Sequence, residues 1–309
     1  MNLGIGIVVV GIVGFLAQLV DGALGMGYGV TSTTLLLTVG LTPAVASASV
    51  HFAELGTTLA SGTAHWRFGN VDWRTVTRLA LPGGIGGFLG AYVLSNVDAT
   101  AAKPWVSLAL SILGLLILFR AIKGTAIRVR AFSPRWRTLG PLGIFAGFLD
   151  AAGGGGWGVV TTSTLMAAGR MQPRMVIGTV SASEFLVALG ASVGFLLGLG
   201  AQQIAWDAVA VLLLGGVIAA PIAAWLVRHI DHRSLGVVVA GMILFTNSER
   251  VLGLVGVGPE AAQVVRVAIA IGTVALTATL HRRQRAAKRA APEGGDAAPG
   301  SINVEAEAA

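Results

Sequence analysis

Apolar positions in this chain form long, nearly unbroken runs, at roughly residues 3–20, 27–41, 43–65, 75–96, 104–122, 139–150, 157–169, 174–199, 205–228, 234–254 and 259–280. Several runs approach the ~20 residues a helix needs to cross a bilayer. They lack the alternation over about ten residues that marks a barrel strand, so each predicts a membrane helix. The runs beside Asp21 and Asp150 are shorter and broken by glycine. They read as half-helices or a re-entrant hairpin rather than as full spans.

The pattern occurs twice. Asp21-Gly-Ala-Leu-Gly-Met-Gly-Tyr-Gly-Val30 returns as Asp150-Ala-Ala-Gly-Gly-Gly-Gly-Trp-Gly-Val159, and each copy runs into hydroxyls, Thr31 to Thr34 and Thr161 to Thr164. Pro43 then matches Pro173, and Glu54 matches Glu184, each glutamate eleven residues beyond its proline. Weaker matches follow: Trp73 with Trp206, Gly83-Gly84 with Gly215-Gly216, and Val97-Asp98 with Ile230-Asp231. A duplicated apolar unit with glycine breaks and a midway carboxylate is a common plan for secondary transporters, whose site lies between the repeats.

Composition agrees. The chain is 54% hydrophobic and 11% charged, against roughly 25% charged in a soluble domain, so lipid is its solvent. It has no cysteine, which excludes disulfides and thiolate metal sites. The net charge of +7 sits at the ends of apolar runs, which fits membrane topology and not nucleic-acid binding. No Lys or Arg precedes the first run, so that run lacks the charged start of a cleaved signal peptide and reads as mature structure.

The organisation expected is repeat one over 1–122, a basic linker over 123–138, repeat two over 139–254, a last helix over 255–280 and a disordered tail over 281–309. The linker carries Lys123, Arg128, Arg130, Arg135 and Arg137, and the tail opens with Arg282, Arg283, Arg285, Lys288 and Arg289. Both are expected in the cytoplasm. Counting back from them puts Arg67, Arg74, Arg170, Arg174, Arg228 and Arg233 inside. The uncharged Gly40–Pro43 turn and the 199–204 loop fall outside. Equivalent loops then face opposite sides, so the repeats are expected to be inverted, with the N-terminus outside. The expected fold is an all-α polytopic membrane protein with two inverted repeats and short glycine-broken helices.

Candidate chemistry follows from position. Gly25, Gly27 and Gly29, and Gly153 to Gly156 with Gly158, let the backbone leave helical geometry and approach a ligand. A half-helix starting after such a break offers free N–H groups to an anion, and Thr31, Ser32, Thr33, Thr161, Thr162 and Ser163 add uncharged donors. Small residues at helix contacts would account for one such run; two symmetric copies favour a site. Neither run is a nucleotide signature, because no strand precedes it and no Lys-Ser/Thr follows. Asp21 and Asp150 suit helix capping, with proton or cation handling as the alternative. Glu54 and Glu184 lie mid-helix, where an isolated carboxylate costs several kcal/mol unless paired or protonated. Ser47, His51, Glu54 and Thr58 share one stripe, as do Ser181, Glu184 and Ser192, which suggests a proton relay or gate. His51 is one-sided, since Ser181 occupies its place in repeat two. Asn247, Glu249 and Arg250 lie near the outer end of their run, where Arg250 either attracts an anion or pairs with Glu249.

These motifs resemble the TauE/SafE family of sulfite exporters, within the wider sulfonate-transporter superfamily. The Asp21–Val30 run, Thr42-Pro43-Ala44 with Ser49-Val50-His51 and Glu54, and Gly153–Gly156 with Trp157-Gly158, Pro173 and Gly178-Thr179 carry the resemblance, over about residues 5–280. It implies a multi-pass plasma-membrane protein that moves sulfite, an organosulfonate or another small anion. The combined expectation is a proton-linked secondary transporter working by alternating access, without cofactor or metal. Its partners are a small anion and the bilayer, and no oligomeric signature is visible. A channel or an intramembrane enzyme using His51 are the alternatives; inverted repeats favour alternating access over a channel, and the symmetric elements are Gly and Glu rather than a nucleophile with its base.

Overall fold

The computed structural model describes residues 3–123, 135–168, 171–226 and 232–290. The described residues form eleven α-helices and one short 3₁₀ turn. They are α1 (Leu3–Leu24), α2 (Tyr28–Thr38), α3 (Pro43–Arg67), α4 (Trp73–Ser95), α5 (Ala99–Lys123), α6 (Trp136–Gly153), α7 (Trp157–Ala168), α8 (Pro173–Leu199), α9 (Trp206–Leu226), α10 (His232–Leu254) and α11 (Pro259–Ala290). Each apolar run became one helix. Five helices are long and apolar enough to cross a membrane: α5, α8, α9, α10 and α11. α3 has 25 residues but carries polar groups along its buried face. α2 and α7, with 11 and 12 residues, are about 16 and 18 Å long, half a hydrocarbon core of ~30 Å.

One boundary differs. The tail expected to be disordered from 281 is helical to Ala290, because nothing in His281–Ala290 breaks a helix: no Gly or Pro, and alanines among long side chains. Most of the linker (124–134, with Arg128 and Arg130), Arg170, the Arg228 loop and the rest of the tail lie outside the described residues.

Helix pairing has two-fold regularity. α4 packs on α6 and α8; α9 packs on α1 and α3; α3 meets α8, and α5 meets α10. Exchanging α1–α5 with α6–α10 maps these pairs onto one another. Direction follows from which residues touch. Gly11 meets Val211, Gly14 meets Leu212 and Gly22 meets Ala223, so α1 and α9 are parallel. Likewise Gly143 meets Leu79, Gly147 meets Gly83 and Gly90 meets Phe148, so α6 and α4 are parallel. Between α3 and α8, Gly62 meets Ala182 while the His51 and Phe195 rings lie 5.8 Å apart; these two run antiparallel. So do α5 and α10, where Gly114 meets Ile243 and Gly236 meets Ala121. Each helix of α1, α3, α4 and α5 therefore points opposite to its counterpart five helices later.

The surface is that of a lipid-solvated body. Leu16, Ile85, Leu115, Ile218, Ile271 and Val274 are exposed around its waist. Exposed tryptophans mark both ends: Trp66, Trp73 and Trp136 at one, Trp105 and Trp206 at the other, as headgroup-level rings do. Helix direction places Arg67, Arg74, Arg78, Lys123, Arg135, Arg137, Arg174, Arg233, Arg282 and Arg283 at the first end. Asp98, Asp207, Glu249 and Glu260 lie at the second.

Candidate functional site

Both helical hairpins break where the glycines stand. Gly27 (φ +123°) and Gly155 (φ +138°) adopt backbone that L side chains rarely enter. Each break is held alike: the Gly25 N–H donates to the Asp21 carbonyl at 2.6 Å and the Gly155 N–H to the Asp150 carbonyl at 2.7 Å.

The two breaks then cross. Gly29 and Val30 at the start of α2 press on Gly155, and Thr33 lies on Gly154; Gly158 presses on Gly25 and Met26. Thr162 completes the pattern by donating its hydroxyl to the Gly25 carbonyl at 2.5 Å. Shifting every residue by 129 maps these contacts onto each other. Here glycine has a packing reason besides the turn: any Cβ on Gly155 would strike the Val30 backbone.

Buried carboxyls surround the crossing. Asp150 Oδ1 accepts the Trp157 N–H at 2.8 Å, and the Asp21 carboxylate accepts the Tyr28 N–H in the same way. The aspartates therefore cap the two half-helices, and each N-terminus offered by sequence to an anion already holds a carboxylate. Glu54 Oε1 lies beside Gly29. Asp21, Glu54, Asp150 and Glu184 are all close enough to act on one another electrostatically.

His51 breaks the symmetry. Its Nδ1 is 2.8 Å from the Ser47 carbonyl, which only accepts, so the Nδ1 proton is fixed by chemistry. Its Nε2 is 3.1 Å from Asp150 Oδ2 and 3.9 Å from Glu54 Oε2. A lone pair facing a carboxylate would repel it, so the His51–Asp150 contact needs one proton, carried on nitrogen or on oxygen. Ser47 supports the assembly by donating to the Ala151 carbonyl at 2.8 Å. Ligand atoms of His51, Glu54 and Asp150 all lie within 4.8 Å of one another, a donor set that suits a cation as well as a proton. Sequence spacing hid this cluster, because Asp150 lies 99 residues from His51.

The hydroxyls divide between the repeats. Thr161 donates to the Trp157 carbonyl at 2.5 Å and Thr162 to Gly25, so neither has a proton left to give an anion. Thr31, Ser32 and Thr33 are buried with hydroxyls that find no partner among the described residues, as is Thr57 on α3. Asn247 and Arg250 sit away from the crossing. Asn247 Nδ2 donates to the Ile243 carbonyl at 2.9 Å and to Thr34 Oγ1 at 3.2 Å, and Arg250 donates to the Leu37 carbonyl at 3.2 Å. Both bind α2 to α10, with Arg250 on the carbonyl end of the α2 dipole. Glu249 pairs with Arg266 of α11 at 3.1 Å. Sequence reasoning missed Tyr28, whose hydroxyl donates to the Leu212 carbonyl at 3.2 Å and ties the α2 start to α9.

Comparison with known proteins matches this arrangement to a family. Residues 10–249 match the family described as Sulfite exporter TauE/SafE. The chain is 49% identical over 248 residues to the probable membrane transporter protein YtnM of Bacillus subtilis (strain 168), covering 80% of this chain and 83% of the relative. No solved structure matches. With the family match spanning both glycine breaks and both mid-helix glutamates, the chain belongs to the sulfite exporter TauE/SafE family and is a multi-pass membrane transporter.

Proposed function

We propose that this transporter moves a small oxyanion, sulfite or an organosulfonate, outward by alternating access, and that protons travel with it. The observation that carries this reading is the crossing itself. Four buried carboxyls and one histidine meet where two oppositely directed half-helices pass. An anion entering such a place meets negative charge on every side unless protons neutralise it. Protonation of Asp150 or Glu54 would remove that repulsion and would also change the His51 bond that joins α3 to the end of α6. Binding and shape change are thereby linked at one contact.

The carboxylates occupy the half-helix N-termini, so the anion's donors in this reading are the unpartnered hydroxyls of Thr31, Ser32 and Thr33 in the first turns of α2. Two oppositely directed copies of one unit support two alternative openings around one centre. The end rich in arginine is the cytoplasmic end by the positive-inside rule, which puts the N-terminus outside and the C-terminus inside. Repeat one comprises 1–122 and repeat two 139–254, with α11 added after them.

The test is flux of radiolabelled sulfite into proteoliposomes of the purified protein, with and without a pH gradient, competed by sulfate, acetate and an organosulfonate. Saturable, gradient-driven sulfite flux supports the reading. Absence of sulfite flux in folded protein moves the substrate to another anion, and flux indifferent to the gradient removes the proton.

A further inference from the structure

The polar stripe on α3 does not stop at the crossing. Ser47, His51, Glu54, Thr58, Ser61 and His65 follow one another at spacings of four, three, four, three and four. At 100° per residue these six lie within about 40° of one line along the helix. All six are buried, and Gly62 presses on Ala182 of α8 beside the last of them. The stripe runs from the centre to the helix end that carries Arg67, about 21 Å from His51 to His65 at 1.5 Å per residue.

His65 is the unusual member. It is 1% exposed, and neither ring nitrogen finds a hydrogen-bond partner among the described residues. Leaving a buried polar atom unpaired costs about 1–3 kcal/mol, so a histidine is an expensive filler here. The charged and titratable groups at this end are Arg67 of α3, Asp72 just before α4, Arg74 and Arg78 of α4, Arg120 and Lys123 of α5, Arg135 and Arg137 at the start of α6, Arg174 of α8, Arg233 of α10, and His281, Arg282 and Arg283 of α11. Glu54 and Glu184 lie toward the centre. Asp72 is engaged by Thr75 at 2.6 Å.

Repeat two lacks the extension. Its equivalent stripe on α8 reads Ile177, Ser181, Glu184, Ala188, Ala191 and Phe195, all buried. Beyond Glu184 the three positions are apolar, and phenylalanine stands where α3 has His65. Ser192, the one hydroxyl of α8 in that stretch, lies about 20° around the helix from Ser181 and is buried without a partner among the described residues. Because α8 runs antiparallel to α3, this apolar half points to the opposite end of the molecule.

We propose that His65 is a proton-relay site joining the central His51–Asp150–Glu54 cluster to water at the arginine-rich end only, by way of Ser61 and Thr58, whose hydroxyl donates to the Glu54 carbonyl and turns from it to pass a proton on. The steps between stripe members are ~5–6 Å, so the relay requires a bridging water at each. A proton reaching the lone-pair nitrogen of neutral His65 is balanced by release of the proton on the other nitrogen. The relay gives proton access to one side, while the Ala188–Ala191–Phe195 stretch gives the other side no titratable group on the α8 stripe. It rests on the proton-linked reading above.

The experiment compares wild type, His65→Phe (the residue repeat two uses) and His65→Gln in proteoliposomes loaded with a pH-sensitive dye. Sulfite-driven proton movement and radiolabelled sulfite counterflow, which needs no net proton transfer, are measured side by side. The relay predicts that both variants lose proton movement by about tenfold or more while counterflow stays near wild type. Unchanged proton movement and pH profile in either variant overturns it. Loss of counterflow together with proton movement in both variants makes His65 a packing residue and also overturns it. Proton movement missing in the wild type is a separate result: it refutes the proton-linked reading and removes the relay with it.

Discussion

Replacing Asp150 separates its two contacts from its charge. One oxygen accepts the Trp157 N–H at 2.8 Å and the other faces His51 Nε2 at 3.1 Å. In Asp150→Asn the amide oxygen still accepts from Trp157. The amide N–H₂ then donates to the His51 lone pair, since the ring proton stays on Nδ1 against the Ser47 carbonyl. Both bonds survive and only the ionisable proton is lost. In Asp150→Ala both partners are orphaned, at about 1–3 kcal/mol each, or about 2–6 kcal/mol in total. Unfolding in mixed detergent micelles should therefore leave the asparagine variant within about 1 kcal/mol of wild type and the alanine variant clearly lower. Sulfite flux into vesicles should lose its response to a pH gradient in the asparagine variant, though that protein is folded. Gradient-driven flux in Asp150→Asn equal to wild type would refute proton sharing between Asp150 and His51. An alanine variant as stable as wild type would refute the bonding assignment.

Three further outcomes follow from the same geometry. Glu54→Gln should weaken gradient-driven sulfite flux by about tenfold or more and Glu184→Gln by less, because His51 accompanies only Glu54; equal effects would restore a symmetric gate. Thr31→Val or Ser32→Ala should raise the KM for sulfite at little cost in stability, since neither hydroxyl is bonded. Thr162→Val should instead destabilise by about 0.5–1.5 kcal/mol, because its hydroxyl ties α7 to Gly25; the reverse pattern in paired KM and unfolding measurements would move the anion to α7. As the chain has no native cysteine, single cysteines at Asn70 and Gln203 should react with an impermeant thiol reagent from the inside and the outside respectively. Labelling of both from one side would refute the inverted arrangement.

Much of the architecture was legible because lipid makes it so. A backbone in hydrocarbon must satisfy its own hydrogen bonds, so a long apolar run has helix as its answer. The recurrence of Asp21 as Asp150 and of Glu54 as Glu184 revealed the duplication without any knowledge of contacts. The capping role of both aspartates was also legible, because a carboxylate just before a glycine break and a new helix has few other uses. Helix ends were less so. The α11 helix passes its last apolar turn and continues to Ala290, since leaving the bilayer does not stop a helix that lacks Gly or Pro.

The site itself depended on which residues meet across the chain. Thr161 and Thr162 looked equivalent to Thr31 and Ser32 until the fold gave their protons to the Trp157 and Gly25 carbonyls. Arg250 stood open between an anion and the adjacent Glu249, but successive helical residues point 100° apart, so one reaches Leu37 of α2 and the other Arg266 of α11. His65 stood fourteen residues beyond His51 on the same stripe, yet only the fold shows that it is buried between helices and not on a wet surface face. Sequence determined that this chain is a duplicated helical membrane transporter, because periodicity and solvent preference are local properties of the chain. Tertiary structure alone decided that His51 of one repeat meets Asp150 of the other at 3.1 Å, because that contact exists only once the two glycine breaks have crossed.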